Sequence, residues 1–357
     1  MNNGKVGVAI VGSGNIAGPY ASDLQTYPHT ELIGVADVVA EKARALADKH
    51  NCHHYPSIDA VLDDPAVDVV VNLTIHHAHY AVTTQCLEAG KDVYSEKPLA
   101  LTHAEAQALV DLAHQRGRRL GCSPFTFMGE AQQTAWKLIR DDRLGPVRVA
   151  YAEVNWGRIE SWHPAPLPFY DVGPLFDVGV YPLTLLTAMF GPARQVTAYG
   201  KTLYPDRVTK TGEPFHIQTP DWVLAALELE NGTVIRLTAN FYVGHHNKQV
   251  GMEFHGDLGS AHLSSWQNFD ATVEVAPFGG KYAAEPLVKQ PPTGTPWGRG
   301  VAEMAEAILQ GRPHRATGEQ AAHVVEILCA ISQSMQQHEP VRIHSTFTPP
   351  APMEWAN

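Results

Sequence analysis

Three groups of residues in this 357-residue chain have types and spacings suited to chemistry. The first is Gly12-Ser13-Gly14-Asn15-Ile16-Ala17, directly after the apolar run 6–11. Gly12 permits a tight turn, Gly14 lets backbone approach a bulky anion, and the small Ala17 allows a helix to pack closely on a strand. A helix opening here presents unpaired N–H groups and a partial positive charge, which suits a pyrophosphate. The second is Asp37, at the end of the next β-branched run. A carboxylate there accepts hydrogen bonds from ribose hydroxyls and repels a 2′-phosphate, and the neighbouring Val38 and Val39 cannot neutralise one. The pair of signals points to a dinucleotide, NAD in preference to NADP, although a carboxylate at a helix start also serves as a cap. The third is Ser95-Glu96-Lys97-Pro98, at the end of a fifth apolar run. Ligands bind at the carboxyl ends of strands in open α/β sheets, and Pro98 restricts Lys97 to extended backbone, which could fix where its ammonium points.

These groups need elements to hold them. Short β-branched runs at 6–11, 31–36, 67–73, 91–94 and 119–122 read as buried parallel strands. Helical stretches at 16–26, 39–50, 78–89 and 103–116 separate them, the last sharpened by a Thr102/Glu105 capping box. Such alternation predicts a doubly wound α/β domain over residues 1–125. Beyond it, a helix at 130–141 precedes longer alternating strands at 147–156, 195–200, 222–229, 233–242, 249–255 and 271–276, with a helix inserted at 173–190. Asn231-Gly232 is a hairpin signal. Residues 281–296 read as an irregular loop, and helices at 300–309 and 319–336 close the chain. Residues 126–357 are therefore predicted to form an α+β domain with an open, mostly antiparallel sheet.

Composition narrows the partners. Lys and Arg number 26 against 37 Asp and Glu, a net charge of −11 that would repel a phosphate backbone, so no nucleic acid is expected. No apolar run is read as approaching the span of about 18 residues a bilayer needs, so no membrane is expected either. The four cysteines, Cys52, Cys86, Cys122 and Cys329, lie far apart and read as reduced thiols. With no signal-peptide pattern at the N-terminus, the expectation is a cytoplasmic protein. The histidine groups His76-His77-Ala78-His79 and His245-His246 lack ligand spacing, and no metal is expected.

The fingerprint at 12–17, the tripeptide Glu96-Lys97-Pro98 and the later Asp177-Val178-Gly179-Val180-Tyr181-Pro182 together resemble the glucose–fructose oxidoreductase, inositol dehydrogenase and rhizopine-catabolism family (Gfo/Idh/MocA). The likeness extends to Thr74 and His79 after the fourth strand, to Gly145-Pro146-Val147, and to Thr317-Gly318-Glu319. It implies a Rossmann domain followed by an open sheet, and nicotinamide-dependent oxidation of a sugar or polyol hydroxyl. It also implies a homodimer or homotetramer. Carried over by position, Lys97, Asp177 and Tyr181 form the catalytic group, and Gly12, Gly14, Asn15, Ile16, Asp37, Thr74, His76, His79, Glu96 and Lys97 face the coenzyme. Many members carry histidine where this chain has Tyr181, which favours a phenol–lysine pair over an imidazole base. Asp177 and Tyr181 stand four apart on a helical stretch and so share one face. Tyrosine titrates near pH 10 in water, roughly. An ammonium about 4 Å away favours its phenolate by about 4 kcal/mol at an effective dielectric of about 20, before desolvation opposes it.

Trp156, Arg158, Trp162 and His163 precede that helix and suit a carbohydrate ring, with its apolar C–H patches and polar edges. With Lys97, Asp177 and Tyr181 they complete the substrate-binding set. The Pro-rich stretch 164–168 should stiffen their loop. The reading is an NAD-dependent dehydrogenase of a sugar, sugar derivative or glycoside. Two rivals keep the coenzyme: an NAD-retaining glycosidase or lyase that oxidises transiently and eliminates, and a non-catalytic sensor. Retention of Lys97 together with Asp177 argues against the sensor.

Overall fold

The structure, a computed structural model, describes residues 4–244 and 247–357, so the expectation for His245-His246 falls outside the described residues. The chain divides into two compact units. One holds the residues up to Phe125 together with Pro296–Val325, and the other holds Thr126–Thr295 and Glu326–Asn357.

Unit 1 is built on β1 (Val6–Val11), β2 (Thr30–Ala36), β3 (His53–His54), β4 (Val69–Asn72), β5 (Asp92–Ser95) and β6 (Leu120–Cys122). They form one parallel sheet in the order β3-β2-β1-β4-β5-β6, with the reversal of order between β1 and β4. Every residue of β1 is buried, as a strand covered on both faces requires. The connecting helices are α1 (Ala17–Leu24), α2 (Ala40–His50), α3 (Ile58–Asp63), α4 (His79–Glu88) and α5 (His103–Arg116). The start of α5 is fixed as its sequence requires: the Glu105 N–H donates to Thr102 Oγ1 at 3.2 Å. Neither β3 nor α3 was expected, since both are too short for a periodic pattern to register.

A single cut at residue 125 does not describe this unit. Helix α9 (Arg299–Gln310) buries Val301, Met304 and Ala305 and packs on α1, β1 and β6, while Gly121 bridges to Thr317. An apolar helix face late in the sequence completes the first core, which local patterning cannot reveal.

Unit 2 carries α6 (Glu130–Arg140), β7 (Val147–Asn155), α7 (Leu167–Pro174), a π-helical turn Leu175–Gly179 and α8 (Val180–Phe190). Strands β8 (Ala193–Lys201), β9 (Asp206–Val208), β10 (Pro214–His216), β11 (Trp222–Leu229), β12 (Val234–Asn240), β13 (Gly251–Gly256), β14 (Gly259–Leu263), β15 (Val273–Pro277) and β16 (Ala283–Glu285) follow. Helix α10 (Gly318–Gln337), whose residues up to Val325 belong to unit 1, is followed by β17 (Val341–Arg342) and a 3₁₀ turn, Glu354–Ala356. The main sheet runs β16-β15-β14-β13-β7-β12-β11-β8-β17, antiparallel throughout except for β12 beside β7. The Asn231-Gly232 turn joins β11 to β12 as expected, with the Thr233 N–H donating to Asn231 Oδ1. The 281–296 stretch is less irregular than its Pro and Gly content suggested, because β16 pairs with β15.

One membrane expectation needs correction. Leu167–Phe190 is long and apolar enough to cross a bilayer by length and composition, with a mean hydropathy of 1.3 over its most apolar window. In the structure 83% of that window is buried inside the protein. The helix is also broken: Gly173 adopts φ 73°, ψ 171°, and a π-helical turn follows. Interrupted apolar segments escape an eye looking for continuous runs.

Candidate functional site

In unit 1 the backbone ladder continues one residue past the strand ends, which holds the functional loops side by side. The Gly12 N–H donates to Ala36 O at 2.8 Å, Leu73 N–H to Val11 O at 2.8 Å, Glu96 N–H to Asn72 O at 2.9 Å and Ser123 N–H to Ser95 O at 2.9 Å. The glycine loop, the Thr74 loop and the Glu96-Lys97 loop therefore share the carboxyl edge of one sheet, where α/β proteins bind ligands.

The residues of the glycine loop fit a dinucleotide. Gly12 lies at φ +105°, and a Cβ there would come within 2.6 Å of the Leu73 carbonyl. At Gly14 a Cβ would meet no protein atom within 4 Å, so the space beside it is open. Ser13 Oγ is buried with no hydrogen-bond partner, an orphan a phosphate or ribose oxygen would satisfy. Asp37 ties the loop to the end of β2: its Oδ2 accepts from the Ser13 N–H at 2.6 Å and its Oδ1 from the Val39 N–H at 2.7 Å. Each carboxylate oxygen keeps capacity for a further donor, so these two backbone contacts leave room for a ligand hydroxyl. Val38 beside it is fully exposed.

Several residues expected to face the coenzyme also hold the edge in shape. Asn72 Oδ1 accepts from the Thr74 N–H and hydroxyl at 3.2 and 2.7 Å, and its amide donates to His79 O and Thr83 Oγ1. His79 is buried, with Nδ1 at 2.7 Å from Pro98 O and Nε2 at 3.1 Å from Thr74 O. It clamps the Thr74 loop to the Lys97-Pro98 loop, whose peptide bond is cis. Burial holds the His79 imidazole below its ordinary range, against the two carbonyls that favour the charged form. Glu96 is 8% exposed; its Oε1 accepts from the Tyr20 hydroxyl at 2.7 Å and its Oε2 from the Lys97 N–H at 3.1 Å. Tyr20, which sequence reasoning missed, also lies 3.0 Å from Ser123 Oγ, and burial reinforced by the Glu96 charge keeps its phenol protonated. His79 and Glu96 thus tether the loops of this edge to one another and to the helix behind them. Lys97 and His76 are half-buried, and the His76 ring lies 6.0 Å from that of His79.

Lys97 belongs to unit 1, and Asp177 and Tyr181 to unit 2. Asp177 sits in the π-helical turn and Tyr181 in the first turn of α8; they are 5% and 7% exposed. Tyr181 stacks against Trp266 at 5.1 Å between ring centroids, and Trp266 against Trp156 at 5.8 Å. Trp266 was missed because it arrives from the turn after β14, though an indole amid Ser264-Ser265-Gln267-Asn268 is a signal of its kind.

The other loop residues separate from this stack. The Arg158 guanidinium is sandwiched between the rings of Tyr204 and Tyr242, at 4.6 and 5.0 Å. Trp162 and His163 cluster with Phe169 at 5.9 and 4.8 Å. Their loop is anchored by a buried network absent from the sequence reading: Arg207 donates to Glu160 at 2.8 Å, to the Tyr170 hydroxyl at 2.7 Å and to Asp221 at 2.5 Å. The Ile159 N–H completes it by donating to the Tyr170 hydroxyl. Among the described residues no cluster of three or more His, Cys, Asp or Glu could hold a metal.

Residues 6–123 match the family described as an oxidoreductase family with an NAD-binding Rossmann fold, and residues 132–262 match the GFO/IDH/MocA C-terminal domain. The chain belongs to the GFO/IDH/MocA oxidoreductase family. Within reach of this GFO/IDH/MocA chain is trans-1,2-dihydrobenzene-1,2-diol dehydrogenase of Macaca fuscata fuscata, 29% identical over 223 residues. That match covers 61% of this chain and 63% of the relative, under two thirds of its length. A dTDP-3,4-didehydro-2,6-dideoxy-alpha-D-glucose 3-reductase of Streptomyces violaceoruber is 34% identical over 170 residues, 47% of this chain and 49% of that one. Among solved structures, a levoglucosan dehydrogenase in complex with NADH and levoglucosan superposes with a TM-score of 0.83 at 20% identity, covering 95% of this chain and 99% of that one. That likeness establishes the shared fold: a Rossmann sheet and an open, mostly antiparallel sheet, as the family resemblance implied.

Proposed function

We propose that this chain is an NAD-dependent dehydrogenase that oxidises a hydroxyl of a sugar or sugar derivative. The observation that carries the reading is the carboxyl edge of unit 1. There the glycine loop, with its orphaned Ser13 hydroxyl and tethered Asp37, lies on the same sheet edge as the loop bearing Lys97. The relatives named for diol and sugar-nucleotide chemistry, and the superposing sugar dehydrogenase, support the substrate class.

Nicotinamide, when bound, supplies a hydride acceptor. The chain's own residues do the rest. The α1 N-terminus and the Gly12–Gly14 backbone hold the pyrophosphate, and the Asp37 carboxylate binds the adenosine ribose and disfavours a 2′-phosphate. The family resemblance assigns the chemistry to Lys97, Asp177 and Tyr181. By that assignment the Tyr181–Lys97 pair takes the proton of the substrate hydroxyl while Asp177 orients a neighbouring hydroxyl. The test is turnover of a panel of sugars and glycosides with NAD, following NADH absorbance and released product together. One NADH per oxidised product supports the reading. Product released without NADH, or neither, would replace it by the elimination route or the sensor.

A further inference from the structure

Unit 2 contains a cavity of about 280 Å³ that the reaction as derived above does not use. Two of its walls are the indoles of Trp156 and Trp266, and Trp266 is the ring that stacks on Tyr181. The ring stack thus joins the proposed reacting tyrosine to the wall of the cavity. The remaining lining includes the side chains of Gln249, Gln267, Asn268 and Ser264. The side-chain amides of Gln249, Gln267 and Asn268 supply both donors and acceptors to this lining. The one carboxylate in the lining, Glu153, is held by Arg236 at 2.5 Å, so the wall presents neutral groups.

The chemistry of such a wall is specific. Flat apolar faces accept the C–H side of a pyranose, while carboxamides that both donate and accept suit its hydroxyl edge. A carboxylate or phosphate would find no free cation, and an apolar ligand would offer the amides no partner. The volume is near the lower end of ligand pockets, about 300 Å³, and suits one ring.

We infer that this cavity seats a second, neutral sugar ring, so that the substrate is a glycoside or disaccharide whose reacting ring lies at Tyr181. The inference rests on the dehydrogenase reading for the reacting ring, while the cavity's own preference can be measured apart from it. The decisive experiment has two arms. In the first, kcat/KM with NAD is compared for glucose, maltose and cellobiose in the wild-type chain and in Gln267→Ala/Asn268→Ala. The two-ring substrates are expected to exceed glucose at least tenfold in the wild type, and that ratio to fall about tenfold in the variant, mainly through KM. A ratio near one, or one the variant leaves unchanged, overturns the inference. In the second arm, coenzyme-free protein is titrated with maltose and cellobiose by calorimetry. Binding that is lost in Trp156→Ala, with the variant's circular dichroism unchanged, supports the cavity even if no sugar is oxidised, in which case only the dehydrogenase reading fails. No binding of either disaccharide to the wild type overturns the cavity assignment even if glucose is oxidised.

Discussion

At the scale of single residues, the site depends on groups held by partners within the protein. Glu96 is a buried carboxylate, and the Tyr20 hydroxyl is one of its donors. Removing one partner of a buried polar group costs about 1–3 kcal/mol, because the other is left unsatisfied. Tyr20→Phe should therefore lower unfolding free energy by about that amount in chemical denaturation. It should also reduce turnover, since Glu96 Oε2 holds the Lys97 N–H. A variant as stable and as active as the parent would show that Tyr20 only fills space. Asp37 makes a different prediction. Its oxygens already accept two backbone N–H groups, so Asp37→Ala should weaken NAD binding and narrow the preference for NAD over NADP by about tenfold or more, read as the ratio of kcat/KM values. Undiminished preference would mean that another residue reads the ribose. Both the fingerprint and Asp37 were legible in the sequence because their chemistry is local: a turn, a small residue, a carboxylate at a strand end. Tyr20 was not, since nothing short of the folded sheet brings it to residue 96.

Among the elements, the strands and helices of unit 1 could be read from periodicity and capping. The helix bearing Asp177 and Tyr181 could be placed only approximately. The stretch expected as one helix at 173–190 is α7, a kink at Gly173, a π-helical turn and then α8. No residue pattern announces the π turn, which depends on what the segment packs against. The kink has a local cause that can be tested. Gly173 lies at φ 73°, ψ 171°, a region essentially reserved for glycine, and a Cβ there would come within 2.7 Å of Thr219 Cγ2. Gly173→Ala should cost about 1–3 kcal/mol in stability and lower turnover with it, because the turn that follows carries Asp177. Wild-type stability in this variant would show that the segment can be rebuilt without the kink. The Trp156–Trp266–Tyr181 stack was equally hidden, since β7, the turn after β14 and α8 meet only through the long-range register of the sheet.

For the molecule as a whole, unit 1 has an acid weakness. His50, His79 and His314 are all held below their ordinary range, in each case mainly by burial. A folded-state value below the unfolded 6.5 means that stability is fully present above that pH and is lost as the pH falls through the folded values. The thermal midpoint should accordingly drop between pH 7.5 and 5.5, and His314→Asn should flatten that dependence. An unchanged slope would assign the acid sensitivity to other groups. The two-domain character and the Rossmann class were legible from the switch between periodicities near residue 125. That Pro296–Val325 returns to unit 1 was not, because the return rests on an apolar face whose partner strands lie far earlier in the sequence.

The account turns on Lys97 as a group that acts in the reaction without being needed to hold the coenzyme. Comparing Lys97→Ala with the wild type, by NADH production on the best substrate and by NAD titration of each protein, tests this most directly. The expected result is a fall in kcat/KM of about 100- to 10,000-fold with the NAD dissociation constant within about twofold of wild type. Turnover within tenfold of wild type, or NAD binding lost in proportion to activity, would contradict it.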